Sequence, residues 1–227
     1  MLVLDLFCGG GGASMGYHLA GHQVVGVDLI PQPNYPFTLV TGDALSVARR
    51  LVRELRPAFI HASPPCQAAS ATRAFRNRPG GVRTAEPVNL IPATRELLDE
   101  IGIPYVIENV AYKAAGMRTD LTLCGQMFGL GVYRHRQFEF GCGAPIPGQP
   151  AHSRHVGLCA RNGYLPTPER PMMTITGRNG HHSKAWVRKA SEVMRTPWLS
   201  TDLNAVCESI PPAYTRYIGM SLRGEAQ

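Results

Sequence analysis

Leu2-Val3-Leu4-Asp5-Leu6-Phe7-Cys8-Gly9-Gly10-Gly11-Gly12 opens the chain as an apolar, β-prone run broken by four glycines. Residues 13 to 20 then read as a short helix, closed by Gly21. A strand, a glycine loop and a helix N-terminus let a backbone come close to a ligand, because glycine has no Cβ to hold it away. The next strand, residues 23 to 27, ends in Asp28, an acid placed to accept hydrogen bonds from ribose hydroxyls. Counted from Gly10, the third glycine of a G-x-G-x-x-G pattern should stand at Met15. The stretch therefore suits an adenosine-containing cofactor and argues mildly against a dinucleotide.

The α/β alternation continues. A third strand, residues 37 to 41, leads into Gly42-Asp43-Ala44, and residues 44 to 55 read as an amphipathic helix. Asp43 can cap that helix, accept from an adenine amino group, or do both. A fourth strand, residues 58 to 62, runs into Ser63-Pro64-Pro65-Cys66-Gln67. Two prolines remove backbone donors and fix φ, so the chain must leave the sheet there. Cys66 is thus presented at a rigid turn at a strand's carboxyl end, where open α/β sheets bind ligands. It is a candidate nucleophile if its pKa is lowered; a buried structural cysteine is the alternative. The segment 67–89, with Gly80-Gly81 as a hinge, is long for a simple connection and suggests a functional loop. A helix over residues 90–101 and a strand over 104–107 follow, ending in Glu108-Asn109-Val110. Glu108 falls on the same sheet edge as Cys66 and suits a general acid; a surface salt bridge is the plainer alternative. Residues 133–140 alternate charged and apolar side chains like a strand, which would present Arg134 and Arg136 on one face.

The chain has 227 residues, of which 44% are hydrophobic, enough for one α/β domain with a small appendage. No apolar run approaches the ~18 residues of a membrane span, and the first residues lack the basic and cleavage regions of a signal peptide. Six dispersed cysteines suit a reducing compartment, so the expected location is the cytoplasm. The net charge of +7 is uneven. Residues 144–200 hold eight Lys/Arg against two acids, and residues 67–90 hold Arg73, Arg76, Arg78 and Arg83 against Glu86. Two basic segments beside a slightly acidic remainder favour a nucleic-acid surface over a merely solvated face, and Arg73, Arg76, Arg78, Arg83, Arg178 and Lys184 are its candidates.

In order, Asp5-Leu6-Phe7-Cys8-Gly9-Gly10-Gly11, Asp28, Gly42-Asp43, Pro65-Cys66-Gln67 and Glu108-Asn109-Val110 resemble the motifs of the DNA (cytosine-5) methyltransferases. Each motif is modest alone; the ordered set is specific, and it covers residues 1 to about 140. The resemblance, closest to compact members from phage-like genomes, implies a Rossmann-like mixed sheet with helices on both faces. It implies S-adenosylmethionine as cofactor and a cytosine flipped out of double-stranded DNA as substrate. By the same resemblance Cys66 is the nucleophile that adds to C6, Glu108 the acid at N3 and the exocyclic amine, and Arg136 the holder of the base at O2; Arg134 matches the first arginine of the same family strand and counts with it as a candidate catalytic residue. Asp5, Phe7, Gly9, Gly11, Asp28, Asp43, Ala44 and Pro65 would line the cofactor.

The match has departures. Val132 stands where the family has a glutamine, the recognition segment is short, and Cys207-Glu208-Ser209-Ile210 replaces G-N-S-V. The expected organisation is a catalytic domain over 1–141, a basic recognition segment over 142–200 and a returning helix over 201–227. Cys142, His152, His155 and Cys159 carry zinc-type donors, but their spacing matches no standard finger, and no metal is expected. A cytosine-C5 enzyme with another donor, or with an RNA or nucleotide substrate, remains open on this scaffold. So does a DNA-binding protein without turnover.

Overall fold

The computed structural model describes residues 1–65, 89–110, 116–152, 156–176 and 182–224. Cys66, Gln67, Gly80-Gly81, Arg73, Arg76, Arg78, Arg83, His155 and Arg178 lie outside the described residues. In chain order the strands are β1 (Leu2–Leu6), β2 (Gln23–Asp28), β3 (Thr38–Thr41), β4 (Phe59–Ala62), β5 (Tyr105–Val110), β6 (Leu121–Leu123), β7 (Val132–Tyr133), β8 (Arg136–Gly141) and β9 (Met173–Thr174). The helices are α1 (Gly12–Leu19), α2 (Ala44–Leu55), α3 (Ile91–Ile101), α4 (Lys184–Met194), α5 (Leu203–Glu208) and α6 (Pro212–Ser221).

Seven strands form one sheet in the order β3-β2-β1-β4-β5-β8-β6. Strands β1 to β5 pair in parallel, and β8 enters antiparallel between β5 and β6. After β1 the chain winds outward to β3, then returns to β4 on the other side. That reversal leaves a crevice at the carboxyl ends of β1 and β4.

Side-chain alternation builds the two cores. Val3, Phe59 and Val106 face one side with Tyr17 of α1 and Tyr214 and Ile218 of α6. Leu4, Ile60 and Ile107, one position on, face the other with Ala48 and Leu51 of α2 and Leu98 of α3. Helices therefore cover both faces, as the family resemblance implied. A third cluster joins Val132, Met173, Ile175, Trp186, Val187, Leu199 and Val206 around the two-stranded β7–β9 sheet. It draws on residues 130–132 and 203–207 as well as on the segment 142–200.

One expected strand is divided. Residues 133–140 do not run as a single strand: β7 ends at Tyr133 and β8 begins at Arg136. Between them Arg134 is drawn inward, where its guanidinium donates to the carbonyls of Ile175, Cys207 (2.7 Å) and Ser209 (2.8 Å). The two arginines thus leave the strand in different ways. Glu108 also differs slightly from expectation, lying within β5 rather than just after it.

Helices α1 and α6 touch backbone to backbone. A Cβ on Gly16 would overlap Thr215 Oγ1 and the Pro212 carbonyl, and one on Gly12 would overlap the Ser209 hydroxyl and the Ile210 carbonyl. Thr215 closes the contact by donating to the Ala13 carbonyl at 2.7 Å. Alanine normally stabilises a helix interior relative to glycine, by about 0.5–1 kcal/mol. Here Gly16→Ala should instead destabilise by about 2–3 kcal/mol, the usual scale of overpacking. Urea unfolding measures this, and an unchanged or raised midpoint would mean that the two helices are free to separate.

Candidate active site

Topology decides what meets at the crevice. The parallel strands end there, and β8, running the other way, begins there. In the β5–β8 ladder Val110 pairs with Arg136 and Glu108 with Phe138. Glu108 and Arg136 are therefore diagonal neighbours on one face, and Arg136 Nε lies 2.9 Å from Glu108 Oε1. Glu108 is only 6% exposed. Burial raises its pKa, against the pull of Arg136 and of a hydrogen bond from Ser63.

Behind Glu108 runs a buried polar chain. The Tyr17 hydroxyl meets His61 Nδ1 at 3.0 Å, and His61 Nε2 meets the Ser63 hydroxyl at 2.8 Å. Burial holds the His61 pKa down to about 3, so the ring is neutral. If Ser63 donates to an ionised Glu108, its oxygen must accept from His61 Nε2–H, and Nδ1 then accepts from Tyr17. Tyr17, His61 and Ser63 are all satisfied by that one arrangement, whereas Glu108 Oε1, held by the charge of Arg136, has no hydrogen-bond partner among the described residues. The Pro64-Pro65 turn is fixed as well: Asn109 Nδ2 donates to the Pro64 carbonyl at 2.8 Å, and the Ser63 N–H donates to the Leu6 carbonyl at 3.1 Å. The residue that follows this turn is Cys66, outside the described residues.

The β1–β2 side has the character of a ligand cradle. Phe7 is held at φ 59°, a left-handed conformation uncommon for a bulky residue. Gly9, at φ 49°, has nothing within 4 Å of where a Cβ would stand, and its N–H donates to Asp28 Oδ2 at 2.9 Å. Gly11, at φ 82°, caps α1 and faces the Tyr35 ring. The Ile30 N–H reaches Asp28 Oδ1 at 3.3 Å, while the Leu29 and Ile30 side chains beside it are 67% and 60% exposed. Asp43 accepts from the Ser46 N–H at 2.8 Å and so caps α2; Ala44 is buried behind it, and Pro65 is exposed. Asp5 differs from these: it is fully buried, accepts from the Ser14 hydroxyl, and its Oδ1 has no hydrogen-bond partner among the described residues. Burial, with the charges of Asp28 and Glu108, pushes its pKa up to about 7. Burial likewise raises the Cys8 thiol, keeping it protonated.

Glu108, Arg136, Phe7, Gly9, Asp28 and Pro65 thus sit at or beside the crevice. Arg134 is 3% exposed and spends its guanidinium on main-chain carbonyls, with burial pulling its pKa down to about 9. Lys184 is exposed at the start of α4. Sequence reasoning missed Ser63 and His61, although a histidine inside the otherwise apolar run of β4 was a signal. It also missed Trp198, whose indole N–H donates to the Gly10 carbonyl at 2.7 Å across 188 residues. Among the zinc-type residues, Cys142 packs beside α3 near the Leu98 carbonyl, whereas His152 lies against His135 and Cys124.

Known structures share this architecture. The chain aligns over 99% of its length, and 99% of the other chain, with a protein described as a DNA modification methyltransferase encoded within an E. coli prophage, at a TM-score of 0.63 and 15% identity. Spodoptera frugiperda DNMT2 aligns at 0.63 and 12% identity, covering 98% of both chains. S. pombe Dnmt2 aligns at 0.61 and 12%, covering 99% of this chain and 98% of that one. The fold is therefore the Rossmann-like mixed α/β fold of methyltransferases. No protein-family model and no curated protein matches the sequence.

The buried Asp5 carboxyl has a consequence for stability. Its folded pKa of about 7 lies above the ordinary value of 3.8, so ionising it costs folding free energy progressively from about pH 4 to pH 7. Asp5→Asn removes that cost. The Tm of the variant minus that of the wild type should rise with pH across this window and level off above it. A difference that does not vary with pH would show that Asp5 ionises as readily folded as unfolded.

Proposed function

We propose that the protein is a DNA (cytosine-5) methyltransferase that transfers a methyl group from S-adenosylmethionine to C5 of a cytosine flipped out of double-stranded DNA. The observation that carries this is the buried Glu108–Arg136 pair, set beside the fixed Pro64-Pro65 turn that leads into Cys66. The architecture shared with methyltransferases supports it.

The cradle fits S-adenosylmethionine. Gly9 leaves room for a close approach, the Asp28 carboxylate keeps lone pairs for ribose hydroxyls, and Leu29 and Ile30 offer an apolar surface for a purine. Phe7, Gly11 and Asp43 complete the set. When bound, the cofactor supplies an electrophilic methyl group.

The chain's own residues do the rest. C5 of cytosine is a poor nucleophile until C6 is attacked; the Cys66 thiolate forms the C6–S bond, C5 takes the methyl group, and loss of the C5 proton to solvent then breaks the C6–S bond and frees the thiolate. Glu108, its pKa raised by burial, holds a proton toward N3 and neutralises charge developing on the ring. Arg136 pairs with the carboxylate when it is ionised and fixes the base at O2. Ser63 and His61 orient Glu108 from behind. We assign residues 1–141 to catalysis, 142–200 to DNA and 201–227 to the helix that closes on α1. Arg73, Arg76, Arg78, Arg83, Arg178 and Lys184 are the proposed phosphate contacts, acting with the cytoplasmic protein's net charge of +7.

Nucleoside mass spectrometry of DNA incubated with the protein and S-adenosylmethionine should show 5-methylcytosine. Glu108→Gln should lower the rate by about 100-fold or more, the scale of general acid catalysis, with a much smaller change in DNA affinity. Unmodified DNA with the wild type, or an undiminished rate with Glu108→Gln, would contradict the proposal. Modified RNA or free nucleotide with untouched DNA would redirect it. DNA affinity should also fall steeply with salt, and Lys184→Ala should weaken binding alike on all sequences; an affinity indifferent to salt would remove the phosphate surface.

A further inference from the structure

We infer that Cys124, His135 and His152 form a zinc-binding site outside the crevice. Their ligand atoms, one from each side chain, all lie within 4.8 Å of one another. They come from three separate places: the residue after β6, the connector between β7 and β8, and the segment that follows β8. No sequence spacing would have grouped them.

The local structure favours ligation over chance packing. The Cys124 side chain accepts from the Met127 backbone N–H at the head of the 3-10 turn Gly125–Phe128. The same N–H donates to the Cys124 carbonyl at 3.0 Å, and the Cys124 N–H reaches Met127 Sδ at 3.3 Å, so the residue is fixed in place. The His135 and His152 rings lie 4.8 Å apart at 57°, and Tyr133 packs against both, edge-on to His135 at 4.7 Å and tilted to His152 at 5.7 Å. His152 Nε2 is shielded from solvent and has no hydrogen-bond partner among the described residues. A buried, unsatisfied ring nitrogen is costly in a merely structural cluster and is accounted for by a metal bond. Two imidazoles and one thiolate are borderline-soft donors, matching Zn²⁺ with its fourth corner open to water.

Ligation would displace the Cys124 thiol proton into solvent, so binding weakens as pH falls. It would also tie the segment after β8 to the connector that carries His135 between Arg134 and Arg136. The site is therefore a clamp on the arginine connector, and its existence does not depend on the proposed reaction.

The test uses the full chain, freed of any histidine tag. Protein purified without chelator should carry stoichiometric zinc by elemental mass spectrometry. Stripped protein should take up Co²⁺ with the visible bands of a tetrahedral site and a near-ultraviolet thiolate-to-cobalt band. His152→Gln, on a half-buried loop residue, should weaken Zn²⁺ binding by more than about 100-fold, beyond the loss of an outer-shell partner. Its thermal melt without metal should match that of the stripped wild type. Cys124→Ser should abolish the charge-transfer band, and if that buried variant does not fold, His152→Gln decides. Cys142→Ser should change nothing. Wild type that neither retains zinc nor takes up Zn²⁺ or Co²⁺ after stripping would overturn the inference. So would a cobalt spectrum or zinc affinity unaltered in His152→Gln.

Discussion

The antiparallel entry of β8 beside β5 is the constraint on which the site depends. In an all-parallel sheet every strand would begin at the far edge, and an arginine at a strand start could not meet a carboxyl at a strand end. Reversing one strand places Arg136 diagonally across from Glu108, at 2.9 Å, in a setting where both are largely buried. Burial raises the Glu108 pKa and the guanidinium lowers it. Burial is the larger effect, so the net shift is upward, the direction that favours the protonated carboxyl.

The surroundings serve that pair at several distances. Asn109 and Ser63 fix the proline turn through backbone carbonyls, so the chain leaves β4 in one direction. Tyr17 and His61 link the turn to α1, and α1 is in turn held against α6 by glycine contacts too close for any side chain. Arg134, two residues from Arg136, clamps three carbonyls around the third core. Displacement at α6 or in the β7–β9 layer would therefore reach the crevice through packed or hydrogen-bonded groups rather than through solvent.

Much of this was legible in the sequence for a simple reason: period and punctuation are local. The glycine break after Phe7, the acid after Val27 and the prolines after Ser63 each mark a strand end within a few residues. With alternating helices between them, those ends must fall on one edge of a parallel sheet. What was not legible depends on partners far along the chain. Arg134 read as a strand residue because its carbonyl partners lie 41, 73 and 75 residues away. Ser63 gained meaning only once β4 and β5 paired, and Trp198 only once the segment before α5 folded back on Gly10. Asp43 read two ways from sequence; its cap on α2 is now visible, and it leaves an oxygen for a ligand.

The central claim is that Cys66 adds covalently to a cytosine held by Glu108 and Arg136. It is tested most directly with DNA containing 5-fluorocytosine, incubated with the protein and S-adenosylmethionine and then digested for peptide mass spectrometry. Fluorine at C5 cannot leave as a cation, so the elimination that would free the thiol is blocked and the adduct persists. The account predicts a stable protein–DNA complex whose modified peptide carries the base on Cys66, and no complex with Cys66→Ser. An adduct on Cys8, Cys124 or another cysteine, or methylation at near wild-type rates by Cys66→Ser, would contradict it.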